Sequence, residues 1–111
     1  MKIYKPVAQG GVVGFDNTKP AFVLEDLNEL HGPNSGVVQL PPYIDWTANT
    51  TYDLAKPSRV RTMYSTVLRE AKSESDVADL ICASLLVTTW RSLRLPEFLR
   101  EAWEASHREL C

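Results

Sequence analysis

Cysteine is scarce in this sequence: 2 in 111 residues, Cys82 and Cys111, 29 positions apart and with no Cys-x-x-Cys. That spacing provides neither a disulfide framework nor the clustered thiolates of a metal knuckle. It predicts a reduced, cytoplasmic chain with one buried and one terminal thiol. Histidine is as scarce, and neither His31 nor His107 has an obvious Ser or Cys partner in sequence, so catalysis by either is not expected. No excess charge of one sign exists: the net charge is −2, which gives no bulk pull toward nucleic acid or an anionic membrane. No apolar run approaches the roughly 18 residues that a bilayer span requires. Met1 to Pro6 is charged without an apolar stretch behind it, so it does not read as a secretory signal.

What is present divides into two halves. All 5 glycines fall between Gly10 and Gly36, and 6 of the 7 prolines between Pro6 and Pro57, which excludes long helices before Pro57. Residues 1–55 carry a net −3 and residues 56–111 a net +1. The expected organisation is a Gly/Pro-rich arm or small β-containing subdomain over 1–56, followed by a helical module over 57–111. In the arm, Ile3–Val7 and Gly11–Phe15 read as strands joined by Gln9-Gly10-Gly11, and Ala21–Leu30 as a short helix. His31–Gly36 reads as a loop, Val37–Leu40 as a strand stopped by Pro41-Pro42, and Asp45–Thr50 as a turn.

The second half has a plainer grammar. Pro57-Ser58 opens a helix to about Lys72, with Val60, Met63, Tyr64, Val67, Leu68 and Ala71 spaced by threes and ones as one apolar stripe. Ser73 with Asp76 resembles a capping box. The helix behind it runs through Val77, Leu80 and Ile81 toward Leu85, Leu86 and Trp90, with a break near Ala83-Ser84. Leu95-Pro96-Glu97 starts the last helix, whose inner stripe is Phe98, Leu99, Ala102, Trp103 and Ser106. Three or four such helices must bury their stripes on one another, so the predicted fold is mainly α, a C-terminal bundle behind an irregular, short-strand arm.

The chemistry-bearing patterns are weak. Gly10-Gly11-Val12-Val13-Gly14 lacks the Gly-x-Gly-x-x-Gly spacing and any following Lys-Ser/Thr, and reads as a hairpin turn. Glu25, Asp26 and Glu29 read as a solvated acidic face. No catalytic, metal or cofactor residue is assigned, and the expectation is a protein that is not an enzyme. Surface recognition is left. Arg61, Arg69 and Lys72 project within about 80° of one another on a helix, opposite the apolar stripe, as either a solvated face or a contact surface for phosphate or acidic groups. Trp90 and Trp103 lie on inner stripes. Trp46 lies in a turn, where its ring needs either the domain's own core or a partner's pocket.

The order of several segments resembles a family of short actinobacterial proteins encoded beside AbiE-type nucleotidyltransferase toxins and taken as their antitoxins. The segments are Gly36-Val37-Val38-Gln39-Leu40-Pro41, Ile44-Asp45-Trp46, Tyr52-Asp53-Leu54 with Pro57, Met63 to Ala71, Leu85-Leu86-Val87 with Trp90, and Leu95-Pro96 with Ala102-Trp103-Glu104. They span roughly two-thirds of the chain, and their order rather than any single motif carries the likeness. The sequence departs at Asp79-Leu80-Ile81-Cys82-Ala83, where the family pattern has an Asn-Gly turn. The resemblance implies a cytoplasmic antitoxin that blocks a nucleotidyltransferase toxin by direct contact. Arg61 and Arg69 would face the toxin's acids, the acidic arm with Trp46 its basic rim, and Lys72 would be a further partner-binding residue. The rival expectation is a small transcriptional regulator that binds operator DNA through a helix-turn-helix, with Arg91 and Arg94 on the recognition segment. Leu85, Leu86, Val87 and Trp90 argue against it, being too apolar for a groove-reading surface.

Overall fold

A computed structural model of the chain describes residues 2–4, 21–47 and 50–110. The expected hairpin between 3–7 and 11–15 lies largely outside them. Strand β1 (Lys2–Tyr4) pairs with β2 (Ala21–Val23), antiparallel, with Ile3 opposite Phe22. Strand β3 (Val37–Gln39) pairs antiparallel with β4 (Thr51–Asp53), Val38 facing Tyr52. Helices α1 (Pro57–Glu70), α2 (Glu74–Leu80), α3 (Ala83–Thr89) and α4 (Glu97–Ser106) follow, with single 3-10 turns at Leu27–Glu29, Trp90–Ser92 and Arg108–Leu110. The fold is mainly α, as the periodicity predicts.

Helix α1 starts at Pro57, where the missing N–H costs nothing, and buries Val60, Met63, Tyr64, Val67 and Leu68 as expected. It ends at Glu70 rather than Lys72, because Ala71 turns to an extended conformation (φ −56°, ψ 139°). Ser73 caps α2 by accepting from the Asp76 N–H at 3.3 Å. The Asp76 carboxylate does not reciprocate to Ser73 but reaches the Lys72 N–H at 2.9 Å, so the box is open on one side.

Two expectations need correction. Ala21–Leu30 is not a helix. Val23 and Leu24 are consecutive buried residues on extended backbone, and the helical turn begins only at Asp26. Asp26 builds a true capping box there, accepting from Asn28 N–H (2.9 Å) while Glu29 accepts from Asp26 N–H (3.2 Å). The second helix breaks at Ile81-Cys82, not near Ala83-Ser84. A distant segment causes this: Gly32 N–H donates to Ile81 O and His31 N–H to Ala78 O, each at 2.9 Å. The Tyr64 hydroxyl accepts from Cys82 N–H at 2.9 Å. The Ile81 N–H keeps its helical bond to Val77 O, while the tertiary bonds satisfy the Ala78 and Ile81 carbonyls and the Cys82 N–H in place of helical partners; the Ile81 side chain is fully buried.

One core unites the described residues. Of its 23 buried apolar side chains, 8 come from residues 23–54, so the chain before Pro57 is built into the same interior as the helices. Trp90 and Trp103 sit at its centre as expected, ring centroids 6.3 Å apart and inclined at 51°. Trp90 Nε1 donates to Glu104 (2.9 Å), and Arg100 donates to the carbonyls of Trp90 (3.2 Å) and Leu93 (2.5 Å), fixing the corner between α3 and α4. His107 Nε2 meets the Leu24 carbonyl at 2.5 Å and ties the end of α4 to the stretch after β2.

Candidate partner-binding surface

The turn between β3 and β4 holds the most exposed large apolar side chain of the described residues, Trp46, at 76%. Of the two fates open to it in the sequence, Trp46 takes the one outside the core. The backbone around it is nonetheless pinned. Ile44 and Asp45 N–H donate to Pro41 O at 3.0 and 3.1 Å, closing one helical turn, and the Ile44 side chain is fully buried. Asp45, also buried, accepts from the Thr47 N–H (3.0 Å) and hydroxyl (2.7 Å) and from the Tyr52 hydroxyl (2.5 Å). Trp46 is thus bracketed by a carboxylate and a hydroxyl bonded to each other. The Arg59 guanidinium lies 4.1 Å from the Tyr52 ring centroid and donates to Thr51 O at 3.0 Å, which locks this network to the first turn of α1.

The titration behaviour follows. Burial alone would raise the Asp45 pKa. The bonds from Tyr52 and Thr47, with the positive charge of Arg59, outweigh it and hold the carboxyl below its ordinary value. Burial, and then the Asp45 bond, push Tyr52 up to about 12. A lowered folded-state pKa means that Asp45 contributes stability above the ordinary carboxylate range near about 4, lost as pH falls through its folded-state value. Asp45→Asn is therefore expected to be less stable than the parent at pH 6 by about 1–2 kcal/mol. The gap should narrow toward pH 2 in urea midpoints; a gap independent of pH would show that the charged form has no special role.

Tyr43, 51% exposed, sits three residues before Trp46 and donates to Asp76 Oδ1 at 2.5 Å, and the other oxygen of that carboxylate accepts the Lys72 N–H. Lys72 therefore stands beside the aromatic turn, but not by helical projection, since α1 has already ended. Arg61 and Arg69 do lie on α1. At about 100° per residue, Ser65, Arg69 and Thr66 project about 40°, 80° and 140° from Arg61. Tyr52, paired with Asp45, reaches Thr66 on one edge. On the other edge Ser65 Oγ accepts the Arg94 N–H at 3.1 Å. Arg69 projects between the two and donates through Nε to Ser65 O at 3.0 Å. The structure thus holds Arg61 and Arg69 on α1 with the Arg94 backbone bound at Ser65, anchors the Trp46 turn through Asp45 and Tyr52 at the Thr66 edge, and leaves Lys72 past the helix end beside the carboxylate that Tyr43 meets.

Of the acids expected in the arm beside Trp46, Asp16 lies outside the described residues, and four others have local roles. Asp45 is buried, Asp26 and Glu29 cap the 3-10 turn, and Asp53 accepts from the Ala55 N–H at 3.0 Å. These acids stabilise local backbone and do not form a free acidic edge.

Among the described residues, the nearest approach to a nucleophile and base is Cys82 with His31, which form an antiparallel bridge. Both ring nitrogens of His31 are engaged elsewhere, 3.0 Å from Glu29 O and 2.6 Å from the Asp79 carboxylate. Cys82 is half-buried rather than buried, its Sγ 3.2 Å from Ser84 Oγ. No group of three or more His, Cys, Asp or Glu side chains that could hold a metal occurs among the described residues. None of their helices is long and apolar enough to cross a membrane.

The segment from α3 into its 3-10 extension is less apolar on its surface than its sequence suggests. Leu86 and Trp90 turn into the core and Leu85 packs against it, so the outward residues there are Ser84, Val87, Thr88 and Arg91. No protein-family model, curated protein or solved structure matches the chain.

Proposed function

We propose that this protein works by binding another protein, seating Trp46 in a pocket of its partner while Arg61, Arg69 and Lys72 engage acidic groups around that pocket. Following the family resemblance, the partner is a nucleotidyltransferase toxin and the outcome of binding is its neutralisation. The observation that carries this reading is the combination at Trp46 of high exposure with a pinned backbone. A mobile loop would lose backbone entropy when its indole docked, whereas the backbone on either side of Trp46 is already held by the Asp45–Thr47 and Pro41 bonds. The positive charge of Arg61, Arg69 and Lys72 suits a partner site that holds metal-binding carboxylates and suppresses wrong partners.

The arginine part is tested by co-purification of the nucleotidyltransferase encoded by the adjacent gene with the parent chain and with the Arg61→Glu, Arg69→Glu double variant. The double charge reversal is expected to weaken capture at least about tenfold, since each lost charge-assisted contact is worth roughly 1.5–3 kcal/mol. Undiminished capture removes the arginines from the interface.

A further inference from the structure

Strands β3 and β4 form a ribbon of two strands with two outer edges. Leu40 N–H donates to Thr50 O at 3.0 Å and Leu54 N–H to Gly36 O at 2.8 Å, with Val38 opposite Tyr52 between them. The even-numbered residues of β3 therefore bond to β4. By the alternation of an antiparallel ladder, the N–H and C=O groups of Val37 and Gln39 point the other way. The two edges differ. On β4, Thr51 O accepts from the Arg59 guanidinium and Asp53 O from the Lys56 N–H, each at 3.0 Å, so the start of α1 closes that side. On β3, the outward groups of Val37 and Gln39 have no hydrogen-bond partner among the described residues. Both residues are exposed, Val37 at 65%. The edge also lacks the guards that keep strands apart, since no charged residue occurs from Gly32 to Ile44 and no proline between Gly36 and Leu40.

We propose that β3 is a pairing edge for a second copy of this chain, the two β3 strands lying antiparallel across a two-fold axis at Val38. The strand is self-complementary in that register. Val37 of each copy stands opposite Gln39 of the other, and each such pair exchanges N–H and C=O bonds in both directions, so every outward group is satisfied at once. A slip of one residue would set outward groups against inward ones. A slip of two would set Gln39 against Ser35, before the turned Gly36 (φ 88°), or Val37 against Pro41, which has no N–H. Charge points to the same occupant. Each copy carries a net −2, and a neutral edge lets two of them meet without opposing like charges. The product is a four-stranded sheet, β4-β3-β3-β4, whose outer strands are already closed by α1. An edge of three residues is far smaller than the roughly 800 Å² per partner of a standard interface, so the pairing is weak and driven by concentration. It goes beyond the protein-binding reading and does not depend on it, because it uses backbone groups of β3 and no side chain assigned to that contact.

The test is sedimentation velocity on the full chain from about 10 µM to about 1 mM, a span over which a weak interface passes from apart to paired. The parent chain is expected to shift toward the mass of a dimer at the upper end. Amide hydrogen exchange, followed by NMR at both ends of the span, should slow at Val37 and Gln39 in the concentrated sample, while the Leu40 amide, bonded to Thr50 O, is slow in both. Gln39→Pro removes an outward N–H at a position where an edge strand tolerates proline, and should weaken dimerisation about tenfold or more. Val37→Lys places a charge on the edge and should weaken it similarly. Val87→Lys, the same change at a 41% exposed site on α3, should not, and circular dichroism should show the lysine variants folded like the parent. The proposal is overturned by a chain that stays monomeric throughout the span, by a dimer that Val87→Lys weakens as much as Val37→Lys, or by exchange at Val37 and Gln39 that is the same at both concentrations. Protection of those two amides that appears only when the proposed nucleotidyltransferase partner is added would give the edge to a strand of that protein, and would equally overturn self-pairing.

Discussion

Alanine at Gly32 is expected to lower the unfolding free energy by about 3 kcal/mol, at the upper end of what overpacking costs. The reason is space. A Cβ on Gly32 would lie 2.5 Å from the Leu80 carbonyl carbon, 2.6 Å from Ile81 N and 2.7 Å from Leu80 O, all backbone atoms that cannot rotate away. Relief requires the 31–32 segment to separate from the α2–α3 junction, which breaks the bonds to Ala78 O and Ile81 O. Those bonds hold α2 and α3 apart at Ile81. The melting temperature should fall by roughly 12–24 °C at about 4–8 °C per kcal/mol. Gly36 offers an internal comparison. It has φ +88°, but a Cβ there would meet nothing within 4 Å, so alanine faces backbone strain alone, about 1–2 kcal/mol. Equal losses at the two glycines would show that the 31–32 contact is not close-packed.

Trp46→Ala is expected to do the reverse, leaving the fold alone and disabling the interface. With 76% of the residue exposed, its truncation should change stability by no more than about 0.5 kcal/mol. Loss of a central aromatic anchor costs about 2 kcal/mol or more in binding, roughly thirtyfold in Kd. Calorimetric titration into the proposed nucleotidyltransferase partner, beside a thermal melt of each chain, separates the two effects. A large drop in melting temperature would mean that the indole supports the fold, against its exposure.

The elements legible in the sequence are those whose signals are local. Pro57 opens α1, Ser73 caps α2, and the stripe from Val60 to Leu68 faces inward, each set within one or two helical turns. Trp90 and Trp103 are core residues because their helices carry them there. What is not legible depends on partners far along the chain. The exact place of the break, Ile81-Cys82 rather than near Ala83-Ser84, is set by His31 and Gly32, some 50 residues upstream. Ala21–Val23 is extended because β1 pairs with it, although Phe22, Val23, Leu27 and Leu30 fall near helical spacing. Lys72 leaves the predicted basic face because Ala71 ends the helix early. Arg94 joins that face through a serine 29 residues upstream, a contact no periodicity announces. Trp46 is ambiguous in sequence because the network that decides its fate runs through Tyr52 and Arg59, on two later elements.

The most direct test of the proposed protein binding is to titrate a purified nucleotidyltransferase of the proposed partner class with this chain while nucleotide transfer is followed. The parent chain should arrest transfer at a fixed molar ratio, with Trp46→Ala requiring roughly thirty times the concentration. Transfer that continues under a large excess of the parent chain, or that Trp46→Ala arrests equally well, would contradict it.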